Sequence, residues 1–287
     1  MPTKSLHVNL DTLDGLDYVG DPPPSEREIH VELGLPEILN IKETCSMAAE
    51  ELGKRGPDKK RTLKDGSDVY VLRADLIPVG GDSGGVFVTE RLISSIDSKR
   101  LSIPINPDQL KVAISYEQFL RGDTSNRVCH FGVSFAPTEQ VNRWELLHGY
   151  TSGTHRDLYE TNVNGALMQG LEVFLAVRGR IEDDTPQEIH IVEDELPAMM
   201  LFRELGFEPA TPQDTELLDA ILSSRYSIGT LDDSAEDTQF SRNWVVLDGD
   251  GQPVSVHLTK TVEPAVAYRK VLIDFGTDNL DEDDRFR

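Results

Sequence analysis

The alternation of helical and β-rich segments between residues 154 and 210 constrains the fold most strongly. Apolar side chains recur at helical spacing over 154–178, and Gly179 is a suitable residue to end that helix. A short β-rich run, EIHIV (188–192), follows, and residues 196–206 again have helical spacing and end at Gly206. This order predicts an α+β or mixed α/β fold with a central mixed sheet, flanking helices and a C-terminal β-hairpin.

Several other stretches are typical of strands. VYVLR (69–73), GVFV (85–88) and VCHFGVSF (128–135) are rich in β-branched and aromatic residues. NWVVLD (243–248) and VSVHLTKTV (254–262) flank a glycine-containing turn, and the second run alternates apolar with polar residues. These last two runs predict the C-terminal hairpin.

Helical spacing indicates further helices outside the 154–210 unit. We expect helices over 36–53, over 90–96 and, with Thr138 as the cap, over 138–147. Thr211 followed by Pro212 is a good helix start. Residues 108–120 fit a strand or a helix, and the pattern leaves both open.

The net charge of −23 excludes some classes of protein. Nucleic-acid backbones are bound by Lys and Arg, so the sequence predicts no general nucleic-acid-binding surface. Apolar runs are too short for membrane insertion, and the N-terminus has no apolar signal region. With only two cysteines and no signal region, we expect a cytoplasmic or other intracellular protein. A virion component has the same features.

Composition divides the chain into four predicted parts. Residues 1–30 form an extended N-terminal arm, stiffened by three consecutive prolines. An α+β subdomain follows over 31–125, then an α/β subdomain with the C-terminal hairpin over 126–275. Residues 276–287 form an acidic tail.

Two charged stretches are predicted to be loops. One is the acidic run Asp232–Asp237, and the other is the basic run KRGPDKKR at 54–61. The basic run offers a local contact for a phosphate or an acidic partner. Its candidate residues are Lys54, Arg55, Lys59, Lys60 and Arg61.

The run GDSGG around Ser83 matches the nucleophile motif of chymotrypsin-like proteases, but the chain lacks the other parts of that site. A serine nucleophile needs a base and a group that orients the base. Only His7 and His30 precede Ser83, and neither lies in a suitable motif. We therefore exclude a serine protease and expect a hairpin turn in which glycines supply positive φ angles. These glycines are Gly80, Gly81, Gly84 and Gly85.

No metal site or nucleotide loop is predicted. Cys129, His130, His148 and His155 lack the spacing of known zinc motifs. The chain contains neither a Walker loop nor a GxGxxG run.

One longer resemblance rests on NGALMQGLEVFLAVRG (164–179), EIHIV (188–192) and PAMMLFRELGFEPA (197–210). Together, residues 154–210 resemble the C-terminal half of the GNAT family of acyl-CoA-dependent N-acyltransferases. The positions that carry the resemblance are Ala198, Leu201, Phe202, Leu205, Gly206 and Phe207.

The resemblance implies acetyl-CoA as a cofactor, with its pyrophosphate on backbone N–H groups at the start of the long helix. The matching residues are Asn162, Asn164, Gly165 and Ala166, with asparagines at 162 and 164 where the family has glycines.

The resemblance also concerns proton transfer. Phe202 stands where the family has a tyrosine general acid, so this chain lacks that proton donor. Glu139 and Glu145 are the candidate bases.

The sequence therefore supports two interpretations. The first is a non-enzymatic structural or interaction protein in an assembly, such as a virion, complex or adaptor component. It needs no cofactor and acts through protein partners or self-association. The alternative is a GNAT-type N-acyltransferase that uses acetyl-CoA, or a degenerate relative of one.

Overall fold

The structure is a computed structural model of the chain. It describes residues 18–19, 33, 35–53, 59–62, 68–79, 82–92, 110–119, 127–152, 162–235 and 238–268. Several predictions lie outside these ranges: the N-terminal arm apart from Tyr18–Val19, the acidic tail, Lys54, Arg55, Gly80, Gly81, and His7, His30 and His155.

Twelve strands are described, and nine of them form one mixed sheet in the order β2-β3-β4-β5-β6-β7-β8-β12-β9. Strands β1, β10 and β11 form a second, smaller sheet. The strands are β1 (Tyr18–Val19), β2 (Lys59–Thr62), β3 (Asp68–Val79), β4 (Asp82–Leu92), β5 (Leu110–Phe119), β6 (Arg127–Pro137), β7 (Arg143–Ser152), β8 (Gln187–Glu193), β9 (Glu208–Pro209), β10 (Ser227–Ala235), β11 (Thr238–Leu247) and β12 (Val256–Val262).

Four helices are described: α1 (Leu35–Gly53), α2 (Asn162–Ile181), α3 (Leu196–Glu204) and α4 (Pro212–Leu222). Each lies where the apolar spacing predicts a helix. Gly206 after α3 has a φ of 84°, a value that glycine adopts without strain. Thr211 caps α4, because its hydroxyl accepts the Asp214 N–H at 3.1 Å.

All neighbours in the large sheet are antiparallel except β7 and β8, which are parallel and joined through α2. Helices α1 and α2 pack against each other, α1 also against β3 and β4, and α2 against β5 and β6. One apolar core includes side chains from these helices and the sheet, among them Ile41, Phe135 and Phe174. The fold is α+β with a mixed sheet, as the sequence predicts.

The predicted helix over 138–147 is wrong. Thr138 instead starts a tight turn, in which its N–H donates to the Arg143 carbonyl at 2.9 Å and Asn142 takes a φ of 63°. The chain then enters β7, whose buried Trp144 pairs with Pro137 of β6. Apolar residues three positions apart predicted a helix, but the segment pairs with β6 and β8 and is a strand instead.

Three other local predictions are also corrected by strand pairing. Glu90–Leu92 belong to β4 rather than to a helix, because they pair with residues 110–112 of β5. Lys59–Arg61 lie in β2 rather than in a loop. Asp232–Ala235 lie in β10, where they pair with β11. The ambiguous stretch at 108–120 forms β5.

Ser83 lies in β4, paired with Pro78 on one side and Phe119 on the other. Val79 pairs with Asp82, which confirms a hairpin at this point. The predicted positive φ at Gly84 and Gly85 is wrong, since both residues lie inside β4. Gly84 is needed for space instead: a Cβ there would collide with the buried Tyr116 ring.

The C-terminal hairpin closes as predicted, and its strands then separate. The Val254 N–H donates to the Val246 carbonyl at 2.9 Å, and Gly251 has a φ of 75° in the turn. Beyond this turn, β11 pairs with β10 and β12 pairs with β8.

The large sheet continues across the boundary expected at 125/126, because β5 and β6 are paired neighbours. No described helix is long and apolar enough to cross a membrane.

A partly buried ion pair ties α2 to β12. Lys260 Nζ lies 2.7 Å from Glu172 Oε1, and the two side chains are 22% and 23% exposed. Lys260 also donates to the Leu205 carbonyl at the end of α3. Burial raises the pKa of Glu172, and the neighbouring Lys260 opposes this shift.

Replacing Lys260 with Met should leave the Glu172 carboxylate without its cation. We expect a loss of about 2 kcal/mol of unfolding free energy, less than the ~3–5 kcal/mol of a fully buried pair because solvent screens this one. Urea denaturation followed by circular dichroism measures it. Arg180→Met is the control, because the Arg180–Asp184 pair is exposed, and its midpoint should match the wild type. Equal midpoints for both variants would contradict a stabilising role for Lys260.

Candidate ligand site between diverging strands

The two parallel strands of the sheet are paired at one end only. The paired residues are Arg143 with Glu188, Trp144 with Ile189, and Glu145 with His190. Beyond them β7 continues to Ser152 and β8 to Glu193, each pairing only with its other neighbour among the described residues. The two strands are therefore not paired with each other at their carboxyl ends, and we call this part of the sheet the wedge. Directly after β8, the Asp194 carbonyl accepts the Val246 N–H of β11 at 2.8 Å.

Polar contacts hold the amino ends of β7 and β8 together. The Trp144 indole donates from Nε1 to Gln187 Oε1 at 3.0 Å in a buried hydrogen bond. Gln187 Nε2 in turn donates to Asn142 Oδ1 at 3.3 Å. Arg143 forms an ion pair with Glu188 at 3.1 Å. We call these five residues the clamp.

Aromatic and cationic packing fixes the clamp tryptophan. The Trp144 ring meets Phe135 edge-on, with ring centroids 5.2 Å apart. The guanidinium carbon of Arg178 in α2 lies 4.6 Å from the Trp144 ring centroid. The pairing of β6 with β7 shifts register between Ser134 and Phe135, and such a bulge bends a strand. The clamp therefore fixes β7 on one side of the bulge, and the wedge opens on the other.

Helix α2 begins at the open end of the wedge. Its 20 residues span about 30 Å, whereas the seven residues of β8 span about 23 Å. Because α2 runs back to the amino end of β8, its first turn lies at or beyond the carboxyl end of that strand. The predicted residues Asn162, Asn164, Gly165 and Ala166 all lie in this part of α2.

The start of α2 is suited to an anion. Its first N–H groups have no intrahelical partner, the helix dipole is positive there, and the first turn contains no acidic residue. The Asn164 side chain is 1% exposed, and neither its Nδ2 nor its Oδ1 has a partner in the described structure. Such an unpaired buried amide costs about 1–3 kcal/mol, so it favours a ligand that supplies the missing partners.

Three consecutive acidic residues stand at the carboxyl end of β8. The first of them, Glu193, is the last residue of that strand. Glu193 Oε1 accepts the N–H of Asp194 at 3.0 Å and that of Glu195 at 2.9 Å. Burial, with the nearby Glu195 charge, raises the pKa of Glu193 to about 8. The sequence reasoning missed this role, although three consecutive acids after a strand are visible in the sequence.

Glu145 and His190 form the last pair before β7 and β8 separate. Both are buried and lie on the sheet face opposite Trp144. The His190 and His257 rings lie 5.4 Å apart, edge to face. Burial, then the charge of Arg143 and the electrostatic interaction with His257, lower the pKa of His190 to about 4, and Asp214 opposes this shift. His190 is therefore a neutral imidazole near pH 7.

Other predicted residues lie away from the wedge or lack the needed chemistry. Glu139 is exposed in the turn between β6 and β7, at the clamped end and away from the wedge. Glu145 lies at the inner limit of the wedge. Phe202 is buried in α3 against Phe207, with ring centroids 5.5 Å apart.

Within the ranges that the structure describes, no three His, Cys, Asp or Glu side chains lie close enough to hold a metal ion. Cys45 is a free, buried thiol, and burial raises its pKa.

Comparison with known proteins gives no relatives: no family model, curated protein or solved structure matches the chain.

The raised pKa of Glu193 predicts a pH-dependent stability. The folded state favours the protonated carboxyl. Its contribution to the free energy of unfolding is therefore full below pH 4.5, falls as the pH rises and is lost above about pH 8. Glu193→Gln keeps an oxygen for the two N–H groups and carries no charge. Its melting temperature should match the wild type near pH 5 and exceed it at pH 8.5 by about 2 °C for each kcal/mol regained.

Calorimetry from pH 5 to 9 measures this difference, with Glu204→Gln on the exposed side of α3 as the control. If the melting temperature of Glu193→Gln follows pH in parallel with that of the wild type, the raised pKa of Glu193 is contradicted.

Proposed function

We propose that the wedge binds an acyl-CoA thioester and that the protein transfers its acyl group to an amine. One observation carries the proposal: parallel strands β7 and β8 diverge beside the first turn of their connecting helix, where a buried amide has no partner. Ligands in sheets of this kind bind beyond the carboxyl ends of the strands.

The pyrophosphate and the pantetheine arm of coenzyme A each have a matching partner at this site. The pyrophosphate suits the free N–H groups at the start of α2, with Asn164 as an added donor. The pantetheine arm is extended and carries two amides, so it suits the unpaired backbone edges of β7 and β8, as an added strand does. The thioester then reaches the closed end of the wedge.

The charges around the wedge favour an amine as acceptor. Asp194 and Glu195 follow the carboxyl end of β8, and the whole chain carries a net charge of −23. A negative field of this kind attracts cations, including alkylammonium groups. The resemblance of residues 154–210 to the GNAT family supports the same reaction.

A non-enzymatic interaction protein is the second candidate. Phe202 supplies no hydroxyl for the departing thiolate, which favours binding without transfer. Val266 is 67% exposed on the C-terminal segment that packs on α2, which suits a protein contact. Binding of CoA without any transfer would favour this candidate.

Acetyl-CoA should raise the melting temperature of the wild-type protein, and Asn164→Ala should weaken that effect. We expect about a tenfold loss of affinity, equal to about 1.4 kcal/mol, because Asn164 would lose its hydrogen bond to the ligand. The unliganded variant should unfold at the wild-type temperature or slightly above it, since the substitution removes an unpaired buried amide. Thermal shift titrations and calorimetry measure both quantities.

Gln169→Ala on the same helix is the matched control and should bind acetyl-CoA like the wild type. Pantetheine, which lacks the pyrophosphate, should bind the wild type and Asn164→Ala equally. An absence of any wild-type shift at millimolar acetyl-CoA would reject the proposed function.

A further inference from the structure

A row of buried residues crosses the sheet on the face opposite Trp144. The register aligns Ala136 of β6 with Glu145 of β7, and Glu145 with His190 of β8. Side chains of aligned residues share a face, because alternate residues of a strand point to opposite faces. All three residues are buried, and two of them, Glu145 and His190, are polar.

Two buried polar atoms on this face have no partner in the described structure. One is Oγ of Ser134, which lies two residues before Ala136 on the same strand and therefore on the same face. The other is Nδ1 of His190, whose residue is 3% exposed. Buried polar atoms are nearly always hydrogen-bonded in proteins, so two such exceptions on one face indicate a place for a polar ligand.

His190 occupies a defined position relative to the wedge. Glu145 and His190 form the last pair before β7 and β8 separate. A thioester that enters from the start of α2 and reaches the closed end therefore arrives beside these two side chains. On the polar face, away from α2, the unpartnered Ser134 Oγ and His190 Nδ1 mark where the acyl acceptor would bind.

The groups around His190 keep its imidazole uncharged and available. Arg143 and Glu145 face it from β7, His257 lies on β12, and Asp214 belongs to the first turn of α4. Burial and the positive Arg143 keep its pKa low, at about 4. Nδ1 is thus free to accept a proton. The resulting imidazolium is more acidic than an ordinary one, so it gives the proton up readily.

We propose that His190 is the proton-transfer residue of the acyl transfer and that the acceptor amine binds on the sheet face opposite α2. This inference rests on the proposed function, since it assigns a residue to that reaction. It also answers the absence of a hydroxyl at Phe202: one imidazole removes the proton from the amine and later supplies it to sulfur.

The step balances without any further reactant. The amine nitrogen attacks the thioester carbonyl, a C–N bond forms, and the amine proton passes to His190 Nδ1. The C–S bond then breaks, the electron pair goes to sulfur, and the imidazolium returns the proton to the thiolate. The products are an amide and coenzyme A with a free thiol, and the histidine is neutral again.

The test uses the full chain with acetyl-CoA and three probe amines: spermidine, ethanolamine and an oligolysine peptide. A thiol-reactive dye follows the release of coenzyme A. His190→Asn should lower the amine-dependent rate about 100-fold, within the range of general acid–base catalysis. Its thermal shift with acetyl-CoA should equal that of the wild type. Added imidazole should restore part of the rate in His190→Ala, which a purely structural role would not allow.

Glu204→Gln on the exposed side of α3 is the control and should keep its rate within about threefold. A His190→Asn rate within threefold of the wild type would overturn the assignment while leaving the acyltransferase proposal intact. Binding of acetyl-CoA without release in the presence of any amine would overturn it as well. An absence of acetyl-CoA binding would reject the proposed function itself.

Discussion

The buried hydrogen bond from Trp144 to Gln187 holds two parallel strands together at one end, and the candidate site depends on it. With the ion pair of Arg143 and Glu188, it keeps β7 and β8 in contact over three residue pairs. Farther along, the strand edges that face each other have no pairing in the described structure. Backbone groups in a sheet require hydrogen bonds, so an edge of this kind stays solvated or receives a ligand.

The polar exceptions of the fold cluster around these strands. Asn164 lies at the start of the connecting helix, and His190 and Ser134 lie on the opposite face of the sheet. Proteins usually depart from local packing rules where they bind or react. In the proposed function, the clamp, the helix and the polar face belong to one site, with the thioester on one side of the sheet and the amine on the other.

Local patterns predicted the helices well because each carries its own start and stop signals. Thr211 with Pro212 starts α4, and Gly206 follows α3 with the positive φ that its position requires. The long helix and the strand after it, both within 154–210, also lie where predicted.

Strands were predicted less well where the apolar spacing also fits a helix. Trp144 and Leu147 have helical spacing, yet their segment pairs with β6 on one side and with β8 on the other. The residues of the site were predicted in part: Asn164 through the family resemblance and Glu145 as a possible base. Gln187 and His190 were missed, because a polar residue in a strand reveals its role only when its neighbours across the sheet are known.

Hydrogen–deuterium exchange with and without coenzyme A tests the central claim most directly. If the wedge holds the ligand, backbone amides at the start of α2 and in residues 191–193 of β8 should exchange more slowly when coenzyme A is present. Amides of β3, which lies four strands away from β7 in the sheet, should exchange at the same rate in both samples. Protection confined to α4 or to α1, or no change anywhere in the chain, would contradict binding between the diverging strands.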